Sequence, residues 1–320
     1  MRRKVVIVDH REEGYDLEKK TFASEDLELE FFNCKDEHEL IEVVRDAYVI
    51  IFTSSRFSPG VINQLTNCKM LIRYGTGLDN VDINAATKKG IYVCNTPNYG
   101  TFSVAEHAFG LLISLVRKLI VLDNNVRNNI WSLDAVSPVT SLRYKTFGIF
   151  GFGNIGRHLS KMALAFEMNV IICDPYVADG ILSDFQVKRT TFDDLVTNSD
   201  HISIHAPLNS ETRHLFNKSV FNSMKSSATI INTSRGDLIN QQDLIFALKS
   251  GRISGAGLDV FENEPPAVDS ELLTMKNVIL TPHAAWYTEE SVVNLHHEVI
   301  DDVVRVIRGD KPINSVNIKV

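Results

Sequence analysis

Two successive α/β units, each built on a parallel sheet, are what this sequence predicts. Three observations carry that expectation. Short apolar runs alternate with polar helical stretches over the first third of the chain. The same alternation resumes from Phe147, and a long apolar segment stands between the two series. Strand–helix alternation of this kind points to βαβ units, and a chain of 320 residues suits two ordinary domains. With 44% apolar and 23% charged residues, the composition is that of a globular protein rather than a disordered one.

The first series follows a basic start, Met1-Arg2-Arg3-Lys4, whose apolar continuation is too short for a signal peptide and reads as a first strand. Its strand candidates are Val5–Asp9, Leu29–Phe32, Tyr48–Phe52, Met70–Arg73 and Ile91–Cys94. A long helix is then expected to begin near Ser103, since Ser103 and Glu106 have capping-box spacing. Apolar residues from Val104 to Leu122 surround nearly all of it, which suits a helix buried between layers or at a subunit interface. The second series offers strands at Phe147–Phe150, Val170–Asp174, His201–His205, Thr229–Thr233, Gly255–Leu258 and Val278–Thr281. The last element, Thr288 to Arg308, reads as an amphipathic helix with Val292, Leu295, Val299, Val303 and Val306 on one side.

The formal net charge of -7 argues against a nucleic-acid partner, because counterion release needs a basic surface. A small basic site for an anionic substrate remains compatible with it. No apolar run approaches a membrane span, so a cytoplasmic location with no membrane partner is expected. Cys34, Cys68, Cys94 and Cys173 form no CxxC pair and show no metal-ligand spacing. They read as reduced thiols in a reducing compartment, and no metal site is expected.

The strongest motif is Gly151-Phe152-Gly153-Asn154-Ile155-Gly156, which follows an apolar run and opens a helical segment. The glycines permit a tight turn and close approach to a pyrophosphate, while the helix start offers unpaired N–H groups. An acid should close the next strand about 20 residues on, to bind the ribose hydroxyls. Asp174 does so; its charge would repel a 2′-phosphate, and no arginine adjoins it, which favours NAD over NADP.

Three polar residues stand just beyond later apolar runs: Arg235, Glu264 and His283. In a doubly wound sheet, ligands lie outside the carboxyl ends of the strands, so all three should project toward the nicotinamide. Their chemistry suits reduction of a 2-keto acid. His283 can protonate the developing alkoxide. Glu264 can orient the imidazole and stabilise its charged form. Arg235 can bind the substrate carboxylate with its planar fork.

With these residues in view, the chain resembles the D-isomer-specific 2-hydroxyacid dehydrogenases over nearly its whole length. Five ordered motifs carry the resemblance. They are Arg73-Tyr74-Gly75-Thr76-Gly77-Leu78-Asp79-Asn80, the Gly151 fingerprint, Thr233-Ser234-Arg235-Gly236, the stretch from Gly257-Leu258-Asp259-Val260-Phe261 through Glu264-Pro265-Pro266, and Thr281-Pro282-His283-Ala284-Ala285-Trp286. The resemblance implies two Rossmann-like or flavodoxin-like doubly wound domains with an active-site cleft between them. It implies a discontinuous substrate-binding domain, 1–99 with 288–320, around an NAD-binding domain, 100–287, with hinges near Asn98–Thr101 and Tyr287–Thr288. Cofactor contacts would fall on Thr76, Asn154, Ile155, Asp174, Ala206, Pro207, Thr233 with Ser234, and Asp259, the last holding the nicotinamide carboxamide. The substrate carboxylate would rest on backbone N–H groups near Gly75 and Thr76 beside Arg235. A homodimer built around the long helix is implied as well.

Two branches of the family compete. His283-Ala284-Ala285-Trp286-Tyr287 is similar to the C-terminal-binding-protein branch of NAD-binding corepressors, in which Trp286 would line the substrate pocket and Arg73 would reach the substrate. Thr76-Gly77 and Asn95-Thr96-Pro97-Asn98 are closer to phosphoglycerate dehydrogenase, for which Arg56 and Arg73 are the candidate phosphate binders. One departure is visible: Asp237 follows Gly236 where the family often has a second glycine, and its charge counts against a phosphorylated substrate. Asn240 remains able to cap the next helix. The expectation is an NAD-dependent dehydrogenase of a small 2-keto or 2-hydroxy acid. The alternatives are a phosphoglycerate dehydrogenase-like enzyme and an NAD-sensing binding protein.

Overall fold

The computed structural model describes residues 3–10, 14–134, 136 and 139–318. Met1 and Arg2 of the basic start lie outside the described residues. The chain divides into two compact units, Met1–Gly100 with Thr288–Val320, and Thr101–Tyr287.

In the first unit the strands are β1 (Arg3–Val8), β2 (Leu27–Phe32), β3 (Val49–Phe52), β4 (Met70–Arg73) and β5 (Tyr92–Cys94). They form a parallel sheet in the order β2-β1-β3-β4-β5. Successive residues of its central strands face opposite layers. Val5, Ile7, Val49, Ile51 and Ile72 pack under the helix Glu289–Arg308 through its Leu295, Val299 and Val303. Val6, Val8, Ile50, Phe52 and Leu71 pack on the other side with Leu40, Val61 and Ile62. Burial on both faces is why these strands read as near-continuous Val/Ile runs. The last helix opens on a capping box between Thr288 and Ser291 and ends at Gly309 in the left-handed conformation.

In the second unit the strands are β6 (Thr146–Phe150), β7 (Asn169–Cys173), β8 (Lys188–Arg189), β9 (His201–Ile204), β10 (Thr229–Asn232), β11 (Gly255–Leu258) and β12 (Val278–Leu280). The sheet order is β12-β11-β10-β9-β6-β7-β8, again all parallel. One face packs Phe147, Ile149, Ile172 and Ile231 against the helix Thr101–Val116, and the other packs Ile202, Ile204, Ile230 and Leu258.

The central helix differs from its expected form. It starts at Thr101, so Ser103 lies buried inside the first turn rather than capping it. It also stops at Val116, and a separate helix, Leu119–Arg127, follows. Lys118 between them takes a left-handed φ of 56, which breaks the run without any glycine or proline to announce it. Among the described residues, no helix is long and apolar enough to cross a membrane.

Candidate active site

Because the seven-stranded sheet is parallel, every loop that leaves the carboxyl end of a strand emerges at the same edge. Gly151 follows β6, Asp174 follows β7, Ala206 and Pro207 follow β9, Thr233–Arg235 follow β10, Asp259 follows β11 and Thr281–His283 follow β12. The strand order reverses between β6 and β9, where such sheets bind dinucleotides.

The glycine turn meets the demands of that position. Gly151 has φ 93, and a Cβ there would stand 2.6 Å from the Ala206 nitrogen, so only glycine fits between the β6 and β9 loops. A Cβ on Gly156 would stand 2.4 Å from the Gly151 carbonyl oxygen, which seats the helix Asn154–Ala165 tightly on the turn. Gly153 borders open space and is the N-cap of that helix, with no side-chain cap bond. Asp174 accepts the Phe152 N–H at 2.7 Å on one oxygen and the Tyr176 N–H at 2.8 Å on the other. Two backbone bonds therefore fix its carboxylate, and each oxygen keeps a lone pair for a ribose hydroxyl. The Thr233 hydroxyl oxygen is buried and has no hydrogen-bond partner among the described residues. Beside it, Ser234 Oγ donates to the Ala206 carbonyl at 2.7 Å. An uncapped helix start, a fixed acid and an orphaned hydroxyl along one edge fit a dinucleotide.

The structure brings two of the three expected catalytic side chains into contact. His283 Nδ1 stands 2.6 Å from Glu264 Oε2, and Glu264 Oε1 accepts the Phe261 N–H at 3.1 Å. Partial burial pushes the Glu264 carboxyl upward. The His283 hydrogen bond and charge, the Phe261 N–H and the Arg235 charge outweigh that and hold it below its ordinary value. Arg235 lies on the same edge, and its Nη1 donates to the Ser234 carbonyl at 2.7 Å.

His283 is held by an unusual clamp. Its φ is 53, a conformation that residues with a Cβ rarely adopt. Asp259 takes three successive N–H groups there. Its backbone carbonyl accepts from His283 at 2.8 Å, and its carboxylate accepts from Ala284 and Ala285, each at 2.9 Å. Asp259 is 1% exposed, so its carboxylate serves the His283 loop. Gly236 fixes the neighbouring geometry. A Cβ there would lie 1.9 Å from the Phe261 carbonyl carbon, so the Arg235 loop crosses the segment before Glu264 with no room to spare. Trp286 is half-buried, its ring edge-on to Tyr287 at 5.5 Å.

The expected substrate contacts Arg73, Gly75 and Thr76 belong to the other unit. Arg73 donates from Nε to the Thr53 carbonyl at 2.7 Å and from Nη1 to the Gly77 carbonyl. The Gly75 N–H already donates to Thr96 Oγ1 at 2.9 Å, while Thr76 is exposed. Arg56 is exposed and borders a cavity of about 300 Å³ that Asp9, Lys35 and Glu37 also line.

Asp237 does not stand as a bare charge. Arg213 Nη1 lies 2.8 Å from its Oδ2, and His214 and Glu262 complete the cluster. Asn240 does cap the next helix, its Oδ1 accepting the Asp243 N–H at 3.0 Å. Sequence reasoning did not single out His107 and gave Thr281 a place in a motif but no role; His107 bonds Thr281, which bonds Asp259. For His107 the available signal was a polar Glu106-His107 pair inside a largely apolar helix.

Comparison with known proteins identifies the family. Residues 109–285 match the family model of the D-isomer specific 2-hydroxyacid dehydrogenase NAD binding domain. The chain is 36% identical over 293 residues to the D-3-phosphoglycerate dehydrogenase of Archaeoglobus fulgidus, a match that covers 91% of this chain and 55% of that relative. It therefore spans about half the length of the phosphoglycerate dehydrogenases it matches. It is 38% identical over 286 residues to the glyoxylate reductase of Thermococcus litoralis, covering 87% of this chain and 86% of that one. Among solved structures, a D-lactate dehydrogenase from Aquifex aeolicus complexed with NAD and lactic acid superimposes with a TM-score of 0.88 at 29% identity, covering 99% of this chain and 100% of that one.

Proposed function

Since the chain belongs to the D-isomer specific 2-hydroxyacid dehydrogenase family, we propose that it is an NAD-dependent dehydrogenase interconverting a small 2-keto acid and its D-2-hydroxy acid. The observation that carries this reading is the 2.6 Å pair of His283 and Glu264 at the carboxyl edge of an NAD-binding sheet. Bound NADH supplies the hydride. Glu264, held ionised by its neighbours, keeps Nδ1 of His283 engaged, and Nε2 is then the atom that hands a proton to the nascent alkoxide. Arg235 binds the substrate carboxylate and draws charge from the ketone. Asp259 keeps the 283–285 backbone, and with it the imidazole, in place. Asp174 selects NAD over NADP through the ribose hydroxyls.

NADH oxidation with pyruvate, 2-ketobutyrate, 4-methylthio-2-ketobutyrate, glyoxylate, hydroxypyruvate and phosphohydroxypyruvate tests the proposal. No turnover on any of them ends the dehydrogenase reading. His283→Ala should lower kcat by about 10²–10⁴-fold, the usual range for losing a general acid, with NADH affinity nearly unchanged. If NADH affinity collapsed in step, the acid–base role would fall.

A phosphorylated substrate is the second reading. It is favoured by the 36% identity to a phosphoglycerate dehydrogenase and by Arg213, which offsets the Asp237 charge that had counted against it. Phosphohydroxypyruvate in the panel decides between the two. The same proposal includes a second copy of this chain as partner. Leu119, Ile120, Val126, Ile130, Trp131 and Leu133 form an exposed apolar stretch beside the central helix. The four cysteines are all free, as a reducing cytoplasm would keep them.

A further inference from the structure

His107 sits on the helix Thr101–Val116, remote in sequence from Asp259, Glu264 and His283. Its Nε2 stands 2.9 Å from the Thr281 hydroxyl, which stands 2.5 Å from Asp259 Oδ1. Proton counting gives the direction of each bond. The Asp259 oxygens already accept the Ala284 and Ala285 N–H groups, so the carboxylate acts as acceptor and Thr281 spends its single proton on it. The Thr281 oxygen is then left to accept, and His107 Nε2 must carry the hydrogen that it accepts. His107, Thr281 and Asp259 thus form a chain in which each donor polarises the next. The chain ends on a side chain that is 1% exposed. His107 Nε2 also lies 3.7 Å from the same Asp259 oxygen. The helix that carries it is a firm base, because Ala105, Ala108, Leu111 and Leu112 beside it are packed into the core.

We propose that His107 is a positioning residue for the His283–Glu264 pair. It acts through Thr281 on Asp259, and Asp259 acts on the backbone of residues 283–285. This rests on the acid–base reading of His283 given above. The clamp has a task that a helix or strand would not need, because His283 is kept at φ 53 only while its neighbours over-determine it. Removing the His107 donor frees the Thr281 hydroxyl to turn away and weakens the carboxylate's hold on the Ala284 and Ala285 N–H groups. The imidazole then loses its fixed bearing toward the substrate, although it does not touch His107.

The test compares His107→Leu, which fills similar volume without a donor, with His107→Gln, whose amide nitrogen reaches where Nε2 stood. Amide hydrogen exchange over residues 283–287 is measured in the NADH-bound protein, together with kcat and NADH affinity. In the Leu variant exchange should run about tenfold faster and kcat fall by about tenfold, the factor that one hydrogen bond in a charged network is worth. NADH affinity should stay within about twofold, since no cofactor contact is removed. The Gln variant should return both exchange and kcat to near wild type. Unchanged exchange in the Leu variant overturns the proposal, as does equal loss in Leu and Gln or loss of NADH binding alongside kcat. If the Leu variant does not fold, Gln set against Thr281→Val gives the same contrast. Exchange needs no turnover, so a wild type inactive on every keto acid would end the dehydrogenase reading while exchange still judged the clamp.

Discussion

Gly236→Ala is the substitution whose effect the structure sets most narrowly. A Cβ at that position would lie 1.9 Å from the Phe261 carbonyl carbon, 2.0 Å from its oxygen and 2.5 Å from the Glu262 nitrogen. Ordinary contact begins at 3.4 Å, so the two backbones must separate by 3.4 − 1.9 = 1.5 Å. Neither can give like the end of a flexible side chain, because both are main chain. Overpacking of this kind costs about 1–3 kcal/mol and occasionally more, and backbone against backbone belongs at the upper end. At about 3 kcal/mol, and about 2–4 °C per kcal/mol for a unit of this size, Tm should fall by about 6–12 °C. Catalysis should suffer more than stability. Arg235 directly precedes Gly236, and Glu264 lies three residues beyond Phe261, so the separation drives apart the two loops that carry the proposed catalytic residues. Displacement of a catalytic group by about 1 Å costs on the order of 10²-fold in rate. Circular dichroism melting and steady-state kinetics on the best keto acid measure the two effects. Gly180→Ala is the control, since a Cβ there meets nothing within 4 Å. A Gly236→Ala protein with wild-type Tm and kcat would refute the claim that this crossing sets the site's geometry.

Two further outcomes are expected. Asp174→Asn keeps the shape that accepts the Phe152 N–H but removes the charge that repels a 2′-phosphate; the ratio of kcat/KM for NADPH over NADH should rise by at least about tenfold, and an unchanged ratio would remove Asp174 as the selector. Burial pushes the imidazoles of His201 and His205 down to about 4 and about 3, so both are neutral in the folded protein near neutrality. A depressed folded value means stability that is whole above 6.5 and is lost as pH falls toward the folded values, by about 1.4 kcal/mol per pH unit for each group. His205→Gln, which can keep the bond to Ser203, should flatten the fall in Tm between pH 7 and pH 5, and an equally steep fall would assign that loss to other groups.

The fold was legible because its strands are buried on both faces, which leaves unmixed apolar runs that periodicity alone can find. Met70–Arg73 and Gly255–Leu258 have the very bounds expected, and most others moved by one or two residues at an end. The failures share a cause. Lys188–Arg189 makes a strand of two exposed residues, with no apolar side chain to mark it. The break at Lys118 is a single left-handed lysine inside an apolar stretch, where no turn-forming residue signals it. Local pattern reports which apolar side chains a segment buries, and neither of these features buries one.

The site was legible to the same depth and no further. Gly151, Asp174, Arg235, Glu264 and His283 could be put forward because each stands in a loop that follows a strand. The residues that set their behaviour lie elsewhere in the chain, and only folding brings them near. His107 reaches Thr281 across 174 positions. Asp237 shows the consequence for substrate choice. Read along the chain, it is an extra negative charge two residues past Arg235 and an argument against a phosphate ester. In the fold, Arg213 lies 2.8 Å from it, on a loop 24 residues earlier, and neutralises part of the charge of a cluster that also holds Glu262. A charge beside a site repels an anion only in so far as nothing nearer cancels it. The objection to a phosphorylated substrate is therefore weaker than the bare sequence makes it, and turnover of phosphohydroxypyruvate against an apolar keto acid is what decides the tail.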